Sequence, residues 1–103
     1  MENTWQNLYK EIEYPKNGVL SKIIIKSDNI DSTLFCLASK TEISEHTSTK
    51  NGLVLVLEGE GLFNLKGKDI TMKPGVLIYM KKNAEHSLKA IKNTSFLLVL
   101  FNN

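Results

Sequence analysis

The stretch ISEHTSTKNGLVLVLEGEG, Ile43 to Gly61, carries most of what decides the fold. A polar run holding one histidine, His46, gives way to five consecutive apolar residues, Leu53 to Leu57, and then to a glycine-rich turn. A strand with one wet face alternates apolar and polar residues, because successive side chains point to opposite sides. LVLVL does not alternate, so both of its faces have to be covered. The same is true of FLLVLF, Phe96 to Phe101. A sheet curled over its own core covers one face of such strands. The other face needs a second sheet layer, an N-terminal arm or another copy of the chain, and a homodimer is the cover expected here.

Working outward, the chain reads as short runs rich in Val, Ile, Leu and Phe separated by turn residues, the pattern of an all-β sandwich or barrel. The expected strands are Ser21 to Lys26, Thr33 to Ala38, Leu53 to Glu58, Gly61 to Lys66, Asp69 to Met72, Val76 to Met80, His86 to Ile91 and Ser95 to Phe101. Asn51-Gly52, Gly67-Lys68 and Pro74-Gly75 are among the turn signals between them. A short helix is expected around Thr4 to Glu11, where Trp5 and Tyr9 are spaced to share one face as packing or dimer contacts. With 103 residues and no composition break, residues 1–103 form one expected domain, its barrel portion running from about 21 to 101.

Composition excludes several classes of function. The apolar fraction is 42% and the net charge only +2, ordinary values for a soluble globular chain. All thirteen basic residues are lysine, scattered among eleven acids, so the fork-shaped arginine side chain that reads phosphates and bases is missing. No nucleic acid partner is expected. No apolar run approaches the roughly 18 residues of a membrane span, and MENTWQNLYKEIEY lacks the layout of a signal peptide, so no membrane partner and a cytoplasmic location are expected. The lone Cys36, in the apolar run STLFCLAS, reads as a small buried hydrophobe rather than a reactive thiol.

The order of these elements resembles the cupin superfamily, along most of the chain from about Ser21 to Phe101. EHTSTKNGLVLVLEGEG looks like the first cupin motif and MKPGVLIYMKKNAEHSLKA like the second. The resemblance implies a double-stranded β-helix, a jelly-roll barrel with a pocket at one end. In metal-binding cupins the first motif supplies His-x-His and then a Glu, and the second supplies a third His; together they hold Fe, Mn, Ni, Zn or Cu. Here the match is partial. His46 and His86 fall on two of the ligand positions, while Ser48 and Gly52 stand at the other two. The resemblance thus implies a divalent transition metal (Fe, Mn, Ni or Zn) on His46 and His86, held weakly or not at all.

A carboxylate would complete such a site, because catalytic zinc uses three protein ligands and non-haem iron two histidines with one carboxylate. Glu45 and Glu85 each precede a histidine, and neighbours along a strand point to opposite faces, so both glutamates are expected to face out. Glu58 has the strand parity of Gly52 and is expected to face in, but roughly 20 Å further along the strand. The expected ligand pocket is lined by His46, Ser48, Met80 and His86, with Val54, Val56, Phe63 and Leu88 filling the interior behind it. Lys81 and Lys82 read as a solvated loop pair. Three functions follow: a cupin enzyme on a depleted metal site, a metal-free module binding a small-molecule ligand, and an assembly role for a filled barrel. Fold alone does not choose among them.

Overall fold

The computed structural model describes residues 4–102. After one helical turn, α1 (Leu8–Glu11), the chain forms nine strands: β1 (Val19–Lys26), β2 (Ile30–Leu37), β3 (Glu42–His46), β4 (Asn51–Glu58), β5 (Gly61–Leu65), β6 (Lys68–Met72), β7 (Leu77–Met80), β8 (His86–Ala90) and β9 (Thr94–Phe101). They make a five-stranded sheet ordered β1-β2-β9-β4-β7 and a four-stranded sheet ordered β3-β8-β5-β6, antiparallel throughout. The two sheets close over one core as a jelly roll. All eight expected strands are present. The ninth, β3, has no apolar run; Ile43 is its single large hydrophobe. The expected helix shrinks to α1, capped by Asn7, whose side chain accepts from the Tyr9 amide at 3.1 Å. Trp5 precedes that turn rather than sharing its face, and it is exposed.

Register explains which side chains face inward. In the five-stranded sheet Thr33, Leu98, Val54 and Ile78 form one row across four strands, and Phe35, Phe96 and Val56 the next. In the four-stranded sheet Ile43, Leu88, Phe63 and Ile70 form the facing row. These residues interdigitate in one cluster whose centre is Val54, Val56, Phe63 and Phe96, each at most 3% exposed. Burying a Phe or Val side chain of this kind stabilises by roughly 1.5–3 kcal/mol each. The EGEG turn fits because of Gly59: its φ is +99°, and a Cβ there would meet Thr94 Oγ1 at 2.6 Å. No other residue can bring that turn so close to the start of β9.

The outer face of the five-stranded sheet is covered in part by the arm that precedes β1. Leu8, Ile12 and Tyr14 pack on Leu34, Cys36 and Leu57, so the arm supplies a cover that the two-sided strands demanded. Cys36 lies under it, fully buried. A β-bulge between Val56 and Glu58 turns Glu58 to this outer side, against its expected inward parity. There the Tyr14 hydroxyl donates to Glu58 Oε1 at 2.8 Å and lies 3.1 Å from the Ser95 hydroxyl. With a single phenolic proton given to the carboxylate, Ser95 is left to donate back. Beyond the arm, Ile25, Ser32, Val99, Leu53 and Tyr79 form a further row, and Ile30, Leu77 and Tyr79 remain substantially exposed. Among the described residues no helix is long and apolar enough to cross a membrane.

The tether predicts a pH signature. Burial, and secondarily the bond to Glu58, pushes the Tyr14 phenol up to about 12 from its ordinary 10.0. A raised pKa means that the contribution is complete below pH 10, where the unfolded phenol is neutral, and is lost as pH rises toward 12. Tyr14→Phe should therefore lower the unfolding free energy by about 1–2 kcal/mol at neutral pH. In urea melts the gap between variant and wild type should close steadily above pH 10.

Candidate functional site

Both histidines lie at the barrel end where β3 and β7 finish and β4 and β8 begin. Their backbones are direct cross-strand partners, His46 on β3 opposite His86 on β8. Their rings meet, with centroids 4.1 Å apart and planes inclined by 63°. His86 is buried and lies parallel to Phe63, with centroids 5.8 Å apart. His46 is the exposed member. Each ring is oriented by its own strand: His46 Nδ1 lies 2.8 Å from the Ser44 carbonyl and His86 Nδ1 lies 3.0 Å from the Ala84 carbonyl. A carbonyl only accepts, so both Nδ1 atoms carry the proton and both Nε2 atoms keep a free lone pair.

Behind the pair is a cavity of about 130 Å³ lined by Phe35, Ile43, His46, Val54, Phe63, Met80, His86, Leu88, Phe96 and Leu98. Apart from the imidazoles and one thioether, this lining is hydrocarbon. Burial holds the His86 imidazole below its ordinary pKa, with the nearby His46 pulling the same way and the Ala84 carbonyl opposing. The His86 ring is thereby biased to its neutral form. Three broad features of the expected pocket are in place, since His46, Met80 and His86 share the cavity. Ser48 differs: it is not among the lining residues. Its hydroxyl instead accepts from the Lys50 amide at 3.2 Å, and its carbonyl accepts from Asn83 N at 2.7 Å. A hydroxyl two residues ahead of a free amide forms a local turn more readily than it reaches across a pocket.

The loops that carry the histidines are latched to one another. Buried Asn51 accepts from the Lys82 amide at 2.9 Å, which with the Ser48–Asn83 bond ties the β3–β4 loop to the β7–β8 loop. Sequence reading did not single out Asn51; its only signal was a turn-type Asn-Gly pair, which here begins a strand. Lys81 and Lys82 are exposed.

Among the described residues no carboxylate joins the histidines. Glu45 and Glu85 point to the solvent side of the four-stranded sheet, where the neighbouring Glu85 raises the Glu45 carboxyl by a shared hydrogen bond and like charge. Among the described residues no three His, Cys, Asp or Glu side chains converge. Gly52 occupies a position where the cupin motif has a ligand, and its would-be side-chain space is already taken. Gly52 pairs with Met80 across β4 and β7, and a Cβ on Gly52 would lie 2.8 Å from Met80 Cε. The donor set is two imidazoles and a thioether with no carboxylate, which does not fit a resident hard divalent cation.

Comparison with known proteins agrees with this architecture. The family model described as "Cupin domain" matches residues 33–101. A conserved protein of unknown function from Streptococcus pyogenes superposes with TM-score 0.88 at 23% identity, covering 100% of this chain and 91% of that one. A cupin superfamily protein from Desulfitobacterium hafniense gives TM-score 0.88 at 22% identity, covering 100% and 94% of the two chains. A cupin 2 conserved barrel domain protein from Leptotrichia buccalis gives TM-score 0.87 at 26% identity, with 94% of this chain and 47% of that one covered. A search of curated proteins finds no match.

The Gly52–Met80 contact is directly testable. Gly52 has no positive φ, so alanine meets no backbone strain there and only the Met80 methyl and Leu100, at 3.3 Å, stand in its way. Gly52→Ala should cost about 1 kcal/mol in the wild type, from overpacking. In a Met80→Ala background the same change should be neutral or stabilising, because alanine restricts the unfolded chain. A double-mutant cycle by chemical denaturation reads the difference, and additive effects would contradict the contact.

Proposed function

The chain belongs to the cupin-domain family, and on that premise we propose that its barrel cavity binds a compact small molecule without a resident metal. The observation that carries the reading is the pair of imidazoles, each anchored through Nδ1, that line an otherwise apolar space of about 130 Å³. Two acceptors beside a hydrocarbon wall recognise a guest with a hydroxyl or N–H donor at one end and an apolar body at the other. An engineered apolar cavity of about 150 Å³ holds benzene, so the guest is of single-ring size. The neutral bias of the His86 ring disfavours an anion that would need an imidazolium partner. No reaction is assigned: no nucleophile lines the cavity, and no carboxylate is placed there to act as an acid or base.

Phenol and toluene differ only in the donor and make the matched probes. Phenol should bind with a millimolar-range constant, shifting the Met80 methyl resonance, and more tightly than toluene by up to about tenfold. In a His46→Leu/His86→Leu variant the order should reverse, because the acceptors are gone and the wall remains. Equal binding of both probes to wild type would remove the role of the histidines. Failure of both to bind would remove the pocket.

We also propose that the exposed outer row around Leu77 and Tyr79 pairs two copies of the chain. Tyr79 ends a row continuous across β1, β2, β9, β4 and β7, Leu77 lies on the same face of β7, and both remain exposed beside the region that the arm covers. Sedimentation should show a dimer, and Leu77→Lys/Tyr79→Lys should convert it to monomer without altering phenol binding.

A further inference from the structure

A bulge in β1 builds a hollow separate from the barrel cavity. Between Ile23 and Ile25 the register of β1 against β2 slips, so that Ile23 lies opposite Thr33 and Lys26 opposite Asp31. Three residues' advance on β1 thus matches two on β2. Strict alternation would put Ile23 and Lys26 on opposite faces of the sheet. The bulge sets both on the face that Asp31 and Thr33 share. The five-stranded sheet has one strand more than the sheet it packs on, and β1 is its edge. There a hollow of about 150 Å³ opens, lined by Ile23, Ile25, Lys26, Asp31, Thr33 and Leu100. It shares no lining residue with the histidine cavity.

The polar groups of this hollow are incompletely matched. Asp31 Oδ2 accepts from Lys50 Nζ at 3.4 Å, but Asp31 Oδ1 is shut off from solvent and has no hydrogen-bond partner. A buried carboxylate oxygen without a donor is costly, and it marks a place where a donor belongs. Lys26 is the direct cross-strand neighbour of Asp31, yet among the described residues it forms no ion pair. Ile23 and Ile25 stay exposed beside them. The hollow therefore presents an acceptor without a donor, a cation without an anion, and bare hydrocarbon.

We infer that this hollow binds a small α-amino acid. Its ammonium donates to Asp31, its carboxylate accepts from Lys26, and a short apolar side chain lies against Ile23 and Leu100. Direct cross-strand neighbours have Cβ atoms about 5 Å apart, so a molecule carrying both charges on one carbon spans such a pair. A simple amine is a poorer guest, because Lys26 and Lys50 repel it, and a simple carboxylate is repelled by Asp31. The zwitterion satisfies both groups at once. An apolar cavity of about 150 Å³ holds benzene, which limits the guest's side chain to a few carbons. The Asp31 carboxylate turns about a broad, two-fold torsion, so either oxygen can take the guest while the other keeps Lys50.

The probe is L-valine, with isobutylamine and isovalerate as the same skeleton lacking the carboxylate or the ammonium. L-valine should shift the Ile23 methyl resonances of the folded chain with a millimolar-range constant. Each fragment should bind at least roughly tenfold more weakly, because it forfeits one charged hydrogen bond. Asp31→Asn and Lys26→Met should each weaken L-valine by a similar factor. Lys50→Met removes a competitor for the same carboxylate and should bind L-valine at least as tightly. Amide spectra unchanged away from β1 and β2 show that the variants are folded. The inference is overturned by no L-valine shift at Ile23, by fragments that bind as well as L-valine, by full binding in Asp31→Asn or Lys26→Met, or by weaker binding in Lys50→Met. Phenol binding in the barrel should be indifferent to all three substitutions, so the two sites stand or fall separately.

Discussion

One extra residue in β3 is what makes this a site at all. Ile43 lies opposite Leu88 and His46 opposite His86, so three residues' advance on β3 is matched by two on β8. Strict alternation from Ile43 would bring Glu45 inward and send His46 to solvent. The bulge absorbs the difference, keeping Ile43 in the core and re-aiming His46 onto His86. Had the strand run without it, a carboxylate would face a buried imidazole and the mouth would be an ion pair. Instead it is a pair of imidazoles, and the latch from Asn51 and Ser48 to the opposite loop holds that choice in place.

Around the pair, each neighbour reinforces the same electrostatic character. Phe63 stacks on His86 and excludes water from its face. Burial then favours the uncharged ring, and Met80 fills with a polarizable thioether the room that Gly52 leaves. The result is a cavity able to reward contacts with apolar surface and hydrogen-bond donors, and poorly equipped to stabilise a bare charge. The scaffold is shared with many proteins of the same shape, but what this barrel can hold follows from four side chains at one end of it.

Much of this was legible in the residues alone. LVLVL and FLLVLF announced strands buried on both sides, and the motif resemblance placed His46 and His86 at one mouth with Met80 beside them. What could not be read was local. β3 has too little apolar content to declare itself beside its polar neighbours. Bulges such as those between Ile43 and His46 and before Glu58 change which way a side chain points without leaving a mark in composition; parity therefore misplaced Glu58, which serves the arm instead. Ser48 followed a motif position into the pocket on paper, whereas its hydroxyl is satisfied two residues away. The arm was one of three covers considered for the outer face. Its share of the work could be told only from where Tyr14 and Ile12 land.

The position of β9 has a consequence for how the chain is made. It is the last strand in sequence among the described residues yet the middle one of its sheet, flanked by β2 and β4, and Ser95 at its start meets the arm that precedes β1. Until the ribosome has released residues 94–101, β2 and β4 have no common neighbour, and each carries an unpaired, strongly apolar edge. The nascent chain is thus at its stickiest shortly before synthesis of these residues finishes. Its early segments must wait, largely unassembled, for the strand that joins them. A ribosome stalled just short of β9 would leave β1 to β8 made and little of the fold assembled.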